Sequence, residues 1–175
     1  MAVVERAHWR SAPWGAAQGT THEIWRAADG RGGYLARASI AEIDAAGPFT
    51  ALPGFRRWLA VIDDGGGLEL VIADGEGEPR RWRGAAGDAV AFDGASAVHA
   101  TVTRPARVWN LIVREHVPWS AAWHRDPCTL TVPGGVAVVH VVTSGITRIH
   151  SASQPIEITV DPAPAIVAHL GLGGC

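Results

Sequence analysis

The longest apolar run in the chain is GVAVVHVV, residues 135–142, and 21 glycines and 11 prolines are spread from end to end. An amphipathic helix needs an apolar face that recurs with helical period over roughly ten or more residues. No window supplies one beyond a single turn at 119–124 (WSAAWH). Short apolar runs bounded by glycine and proline are instead the punctuation of an all-β chain. The pattern predicts strands over 22–26, 34–43, 57–63, 68–73, 79–83, 88–92, 97–103 and 107–114. After a connector at 115–127, further strands are predicted over 128–132, 136–143, 146–150, 155–160 and 165–170.

The order apolar strand, glycine turn, strand, small-residue strand occurs twice. WLAVIDDGG…LEL…GDAVAFDG is echoed about 80 residues later by AVVHVVTSG…ITRI…APAIVAHLG. Such a repeat predicts two similar β-barrels in tandem. Residues 1–114 would form the larger one and carry a pocket, and residues 128–175 a smaller, plainer one.

Composition narrows the function classes. The chain has 175 residues with 47% apolar content, enough for a substantial core. The net charge of −2 gives no general attraction to nucleic acid or an acidic membrane. All 15 basic residues are arginine, which excludes Schiff-base chemistry on a lysine. Two cysteines, Cys128 and Cys175, make no disulfide framework and suit a reducing compartment. The N-terminus lacks an apolar run with a basic flank, so a cytoplasmic location is expected. No two of the eight histidines are one residue apart, which removes the His-x-His pair common in metal-binding barrels, and no metal or other cofactor is expected. Nucleophile elbows, phosphate loops and paired redox cysteines are absent as motifs.

Three stretches carry candidate chemistry. Strand 34–43 places Leu35, Arg37, Ser39, Ala41 and Ile43 on one face. If that face points inward, Arg37 needs an anion or acceptors there, because a guanidinium cannot be neutralised. Glu23, on the first predicted strand with Thr21 on the same face, is one internal partner; a ligand carboxylate is another. Strand 107–114 carries Asn110 amid apolar neighbours, a residue type depleted from strands, either as part of a structural network or as a ligand contact. Between strands lies AEIDAAGPFTALPGFRR, residues 41–57. Its two Gly/Pro pairs make a stiff, shaped loop that either covers a barrel end or walls a pocket.

The stretches PWGAAQGTTHEI, RASIAEIDAAGPFTALPGFRR, LAVIDDGGGLEL and WNLIVR, in this order, resemble the motifs of the HutD/Ves family of bacterial cupins. The resemblance is closest over 34–70 and covers most of the chain. It implies an all-β bicupin without the usual cupin metal motif. It also implies a pocket formed by Trp14, Thr21, Glu23, Arg37, Ser39, Phe49, Arg57 and Asn110, with Phe49 as an apolar lid. One branch of the family accompanies histidine utilisation and the Ves branch is linked to stress and cold response. Gly15 and Ala16 stand where the histidine-utilisation branch has a Lys-Asn pair, and Val108 where the family has an aspartate. That alters the pocket's polarity and gives weight to a Ves-like or divergent role.

Two function classes stay open. The first is a metal-free protein that binds a small anionic metabolite, a carboxylate or amino-acid catabolite. The second is a cupin enzyme, either metal-dependent or a hydrolase or isomerase with Glu23 as base. A structural or interaction protein with an empty pocket is a third, weaker reading, and monomer and homodimer are both open.

Overall fold

The computed structural model describes residues 1–13, 19–75 and 77–172. Apart from one 3-10 turn at Arg6–His8, the regular structure is β throughout. The strands are β1 (Ala2–Val4), β2 (Arg10–Pro13), β3 (Gly19–Ala28), β4 (Tyr34–Ile43), β5 (Gly47–Pro48) and β6 (Phe55–Asp63). Then come β7 (Leu68–Ala73), β8 (Arg80–Gly84), β9 (Ala89–Asp93), β10 (Ala97–Val102) and β11 (Ala106–Arg114). The remainder are β12 (Trp119–His124), β13 (Cys128–Val132), β14 (Gly135–Val141), β15 (Thr147–Ala152), β16 (Ile156–Val160) and β17 (Ala165–Leu170). No helix among the described residues is long and apolar enough to cross a membrane.

The chain divides into two compact units: Arg10–Glu115, and Met1–Trp9 together with His116–Cys175. The sequence division grouped residues 1–9 with 10–114, whereas here β1 pairs antiparallel with β15 and joins the second unit. Residues 119–124, a turn of helix by sequence, form β12, which pairs along its whole length with β17. A long strand partner outweighs the weak local preference of WSAAWH.

The first unit is a two-sheet sandwich. A six-stranded sheet, ordered β2-β3-β4-β11-β6-β9, faces a four-stranded sheet, ordered β5-β10-β7-β8. Their shared core takes Ile43, Leu59, Val61 and Val108 from the first sheet and Leu68, Leu70, Ile72 and Val98 from the second. Each is nearly or fully buried, and full burial of such a side chain contributes roughly 1.5–3 kcal/mol. The second unit has sheets ordered β1-β15-β14-β17-β12 and β13-β16, over a core that includes Val139, Ile158, Val160 and Val167.

The architecture is thus an all-β, cupin-like sandwich. Among the described residues no sheet closes into a barrel. Both sheets of the first unit keep free edges, and β5 is a two-residue edge strand ending in Pro48, which has no N–H to extend the ladder. The internal echo is realised in part. β6 pairs with β9 as β14 pairs with β17, but β14 also pairs with β15, while β6 and β7 lie in different sheets.

Candidate functional site: an arginine row facing a cavity

Antiparallel register lays side chains in rows across the six-stranded sheet. Arg26 on β3 is opposite Arg37 on β4, Arg37 is opposite Ile112 on β11, and Ile112 is opposite Arg57 on β6. Cross-strand partners point to the same face, so three arginines stand in one line with Ile112 between two of them. The adjoining row runs Arg10, Glu23, Ser39, Asn110 and Leu59. Over these rows lies a cavity of about 440 Å³, whose wall includes Arg10, Thr21, Glu23, Arg26, Tyr34, Arg37, Arg57 and Ile112. Among the described residues, four arginines and one carboxylate residue therefore line the cavity.

Strict alternation along a strand would not produce this wall. Residues 23 and 26 should face opposite ways, as should 34 and 37. The ladder between β3 and β4 slips twice, once between Glu23 and Trp25 and once between Ala27 and Ala28. The first slip brings Arg26 onto the face of Glu23. The second, which leaves Leu35 without an opposite number, brings Tyr34 onto the face of Arg37. Such bulges characteristically re-aim a side chain.

Glu23 is held by Arg26. Its Oε2 accepts from Arg26 Nε at 3.2 Å and from Nη2 at 2.6 Å. A Glu23–Arg37 pair, one of the two partnerships open to Arg37 by sequence, is not formed. The Arg37 guanidinium lies 5.3 Å from the centroid of Tyr34, and its Nε is buried without a hydrogen-bond partner among the described residues. Arg57 is only 6% exposed. Its guanidinium carbon sits 4.9 Å from the ring of Phe49 and 5.2 Å from that of Phe92. Nη1 donates to the Thr50 carbonyl at 3.3 Å, Nε has no partner, and no described carboxylate pairs with it. Burial, with repulsion from Arg37 second, pushes the Arg57 guanidinium down to about 10.

The loop over 44–54 is fixed rather than free. The Phe49 N–H donates to Val98 O at 2.8 Å, and the Leu52 N–H donates to Gly94 O at 2.6 Å. Gly94 in turn donates to Phe55 O at 2.7 Å, and a Cβ there would stand 2.3 Å from Leu52 O. Only glycine lets the loop dock this closely. The loop contributes Thr50 and Leu52 to the cavity wall. Phe49, expected as a lid, lies 6% exposed in the sandwich core, beneath Arg57 and 6.4 Å from Phe92.

Of the residues singled out by sequence, Thr21, Glu23, Arg37 and Arg57 meet at the cavity. Ser39 and Asn110 pair across β4 and β11 in the adjoining row, both buried and neither on the cavity wall. The Asn110 Oδ1 is buried with no hydrogen-bond partner among the described residues. Trp14, Gly15 and Ala16 lie outside the described residues. Val108 is fully buried in the core. Arg10, Arg26 and Tyr34 were missed by sequence. The slips that aim Arg26 and Tyr34 leave no mark in local composition. Among the described residues, no three His, Cys, Asp or Glu side chains converge as a metal-ligand group.

The sequence model of the HutD family matches residues 6–168. The chain belongs to the HutD family. Its fold is similar to the structure of HutD from Pseudomonas fluorescens SBW25 in a formate condition, with TM-score 0.87, 23% identity, and 99% of each chain covered. It is also similar to PA5104, a conserved protein of unknown function from Pseudomonas aeruginosa PAO1, with TM-score 0.78, 23% identity, and 99% and 98% of the two chains covered. The 7S globulin of Momordica charantia shares the architecture more distantly, with TM-score 0.60 and 9% identity over 99% of this chain and 84% of that one. No curated protein sequence matches the chain. As a HutD-family member it has the family's all-β, cupin-like fold, with the arginine row on one sheet of its first unit.

Proposed function

We propose that this HutD-family protein binds a small carboxylate in the cavity of its first unit, held by arginines and without a metal ion. The observation that carries the reading is Arg57: a guanidinium almost wholly removed from water, at a cavity, with no described carboxylate to compensate it. A buried cation is costly unless paired, and a ligand anion between Arg57 and Arg37 would supply the missing charge. Charge-assisted, forked hydrogen bonds suit a carboxylate in particular. The finer reading, in which the two units are tandem cupin-type barrels of a cytoplasmic protein, belongs to the same proposal. So does a role as a sensor that adjusts amino-acid catabolism or a stress response. Glu23 as a catalytic base is the second reading; its Oε2 already accepts two N–H groups of Arg26, which leaves Oε1 as the oxygen to take a proton.

Calorimetric titration with formate, acetate and glutarate tests the reading. Wild type should bind at least one of them. Arg57→Gln should bind about tenfold or more weakly, the cost of losing a charge-assisted hydrogen bond. Equal affinity in the two proteins would refute it.

A further inference from the structure

We propose that Tyr34 is a ligand-contacting residue of this site, its hydroxyl donating a hydrogen bond to the carboxylate that Arg37 and Arg57 hold. The inference rests on the proposed binding function and adds to it a group that sets specificity. It begins from the slip at Leu35. Without it, Tyr34 would face away from Arg37; with it, β4 gives up one ladder position and the phenol joins the cavity wall.

The ring is fixed from several sides. Arg26 and Arg37 each place a guanidinium carbon 5.3 Å from its centroid, and Phe55 packs at 5.0 Å. The turn that leads into Tyr34 is clamped by Asp29, whose Oδ1 accepts the Arg31 N–H at 2.8 Å and the Gly33 N–H at 2.9 Å. These bonds, that of Arg31 foremost, hold the Asp29 carboxyl below its ordinary range.

The hydroxyl itself has no hydrogen-bond partner among the described residues. A phenol lodged among guanidiniums can accept from them, but its own hydrogen then needs an acceptor. Glu23 Oε2 is taken by Arg26, and the Thr50 carbonyl receives Arg57. A carboxylate could accept from the unpartnered guanidinium donors of Arg37 and Arg57 and from the Tyr34 hydroxyl together. That favours an oxyanion with several in-plane lone pairs, a carboxylate, over a spherical anion such as chloride.

Tyr34 is the only tyrosine in the chain, so one fluorotyrosine label gives a single fluorine-NMR resonance. That resonance should shift as formate or glutarate saturates the protein, and in Arg57→Gln the same shift should need about tenfold or more probe. In calorimetry, Tyr34→Phe, which keeps the ring and its cation–π contacts, should bind the same probe about tenfold more weakly. Far-UV circular dichroism should show an unchanged fold. Wild-type binding with Tyr34→Phe equal to it, or with an unmoved fluorine resonance, overturns the role of Tyr34 and leaves carboxylate binding standing. No binding of any probe by wild type overturns both.

Discussion

Arg26 and Glu23 stand three residues apart on β3, yet Arg26 Nη2 lies 2.6 Å from Glu23 Oε2, because the ladder slip between them puts both side chains on one face. The pair is partly exposed, with side-chain accessibilities of 39% and 15%, so its own worth to stability is small. Its consequence is electrostatic: the one carboxylate facing the cavity is neutralised from within. Glu23→Gln would release Arg26 and remove a negative charge from the cavity. Affinity for glutarate should rise, by about threefold to tenfold for a partly solvated charge a few ångströms away. If Glu23 instead receives a ligand donor or acts as a base, titration of Glu23→Gln will show weaker binding.

That slip also marks the limit of what the sequence discloses. β4, β7, β13 and β17 coincide with the predicted strands, because apolar runs between glycine or proline signals define their ends. Arg37 was legible because β4 alternates regularly from Ala36 onward, whereas Arg57 came only from the family resemblance. Arg26 and Tyr34 were not legible, since register slips are set by pairing between strands, and local composition does not report them. Phe49 was read as a lid because a loop phenylalanine between prolines resembles one, yet hydrogen bonds to Val98 and Gly94 fix the loop and place the ring in the core.

Arg57 should be unfavourable to the empty protein. Burial lowers its folded-state value to about 10, so the unfolded chain holds the proton more tightly. Its charge then costs stability wherever the group stays protonated, neutral pH included, by roughly 3 kcal/mol. Arg57→Met should stabilise the ligand-free protein by about 1–3 kcal/mol in urea unfolding while removing carboxylate binding. A destabilised Arg57→Met would mean that the guanidinium is already compensated in the free state.

Phe49 and Gly94 test the fixed loop. Phe49→Ala should lower stability by about 3–5 kcal/mol, the cost of truncating a core aromatic. A lid residue would instead change affinity with little effect on unfolding. Gly94→Ala should cost about 1–3 kcal/mol, because its Cβ would meet the carbonyls of Leu52 and Phe55 at 2.3 and 2.7 Å. Proteolysis within 44–54 should accelerate in that variant. Unchanged unfolding and cleavage rates would show that the loop does not depend on this contact.

The most direct measurement is a crystal structure of the protein grown with glutarate. Electron density for a carboxylate should lie over Ile112, within hydrogen-bonding distance of both Arg37 and Arg57, with Arg26 still on Glu23. A cavity holding only water at saturating glutarate, or a ligand bound away from the arginine row, would contradict carboxylate binding at this site.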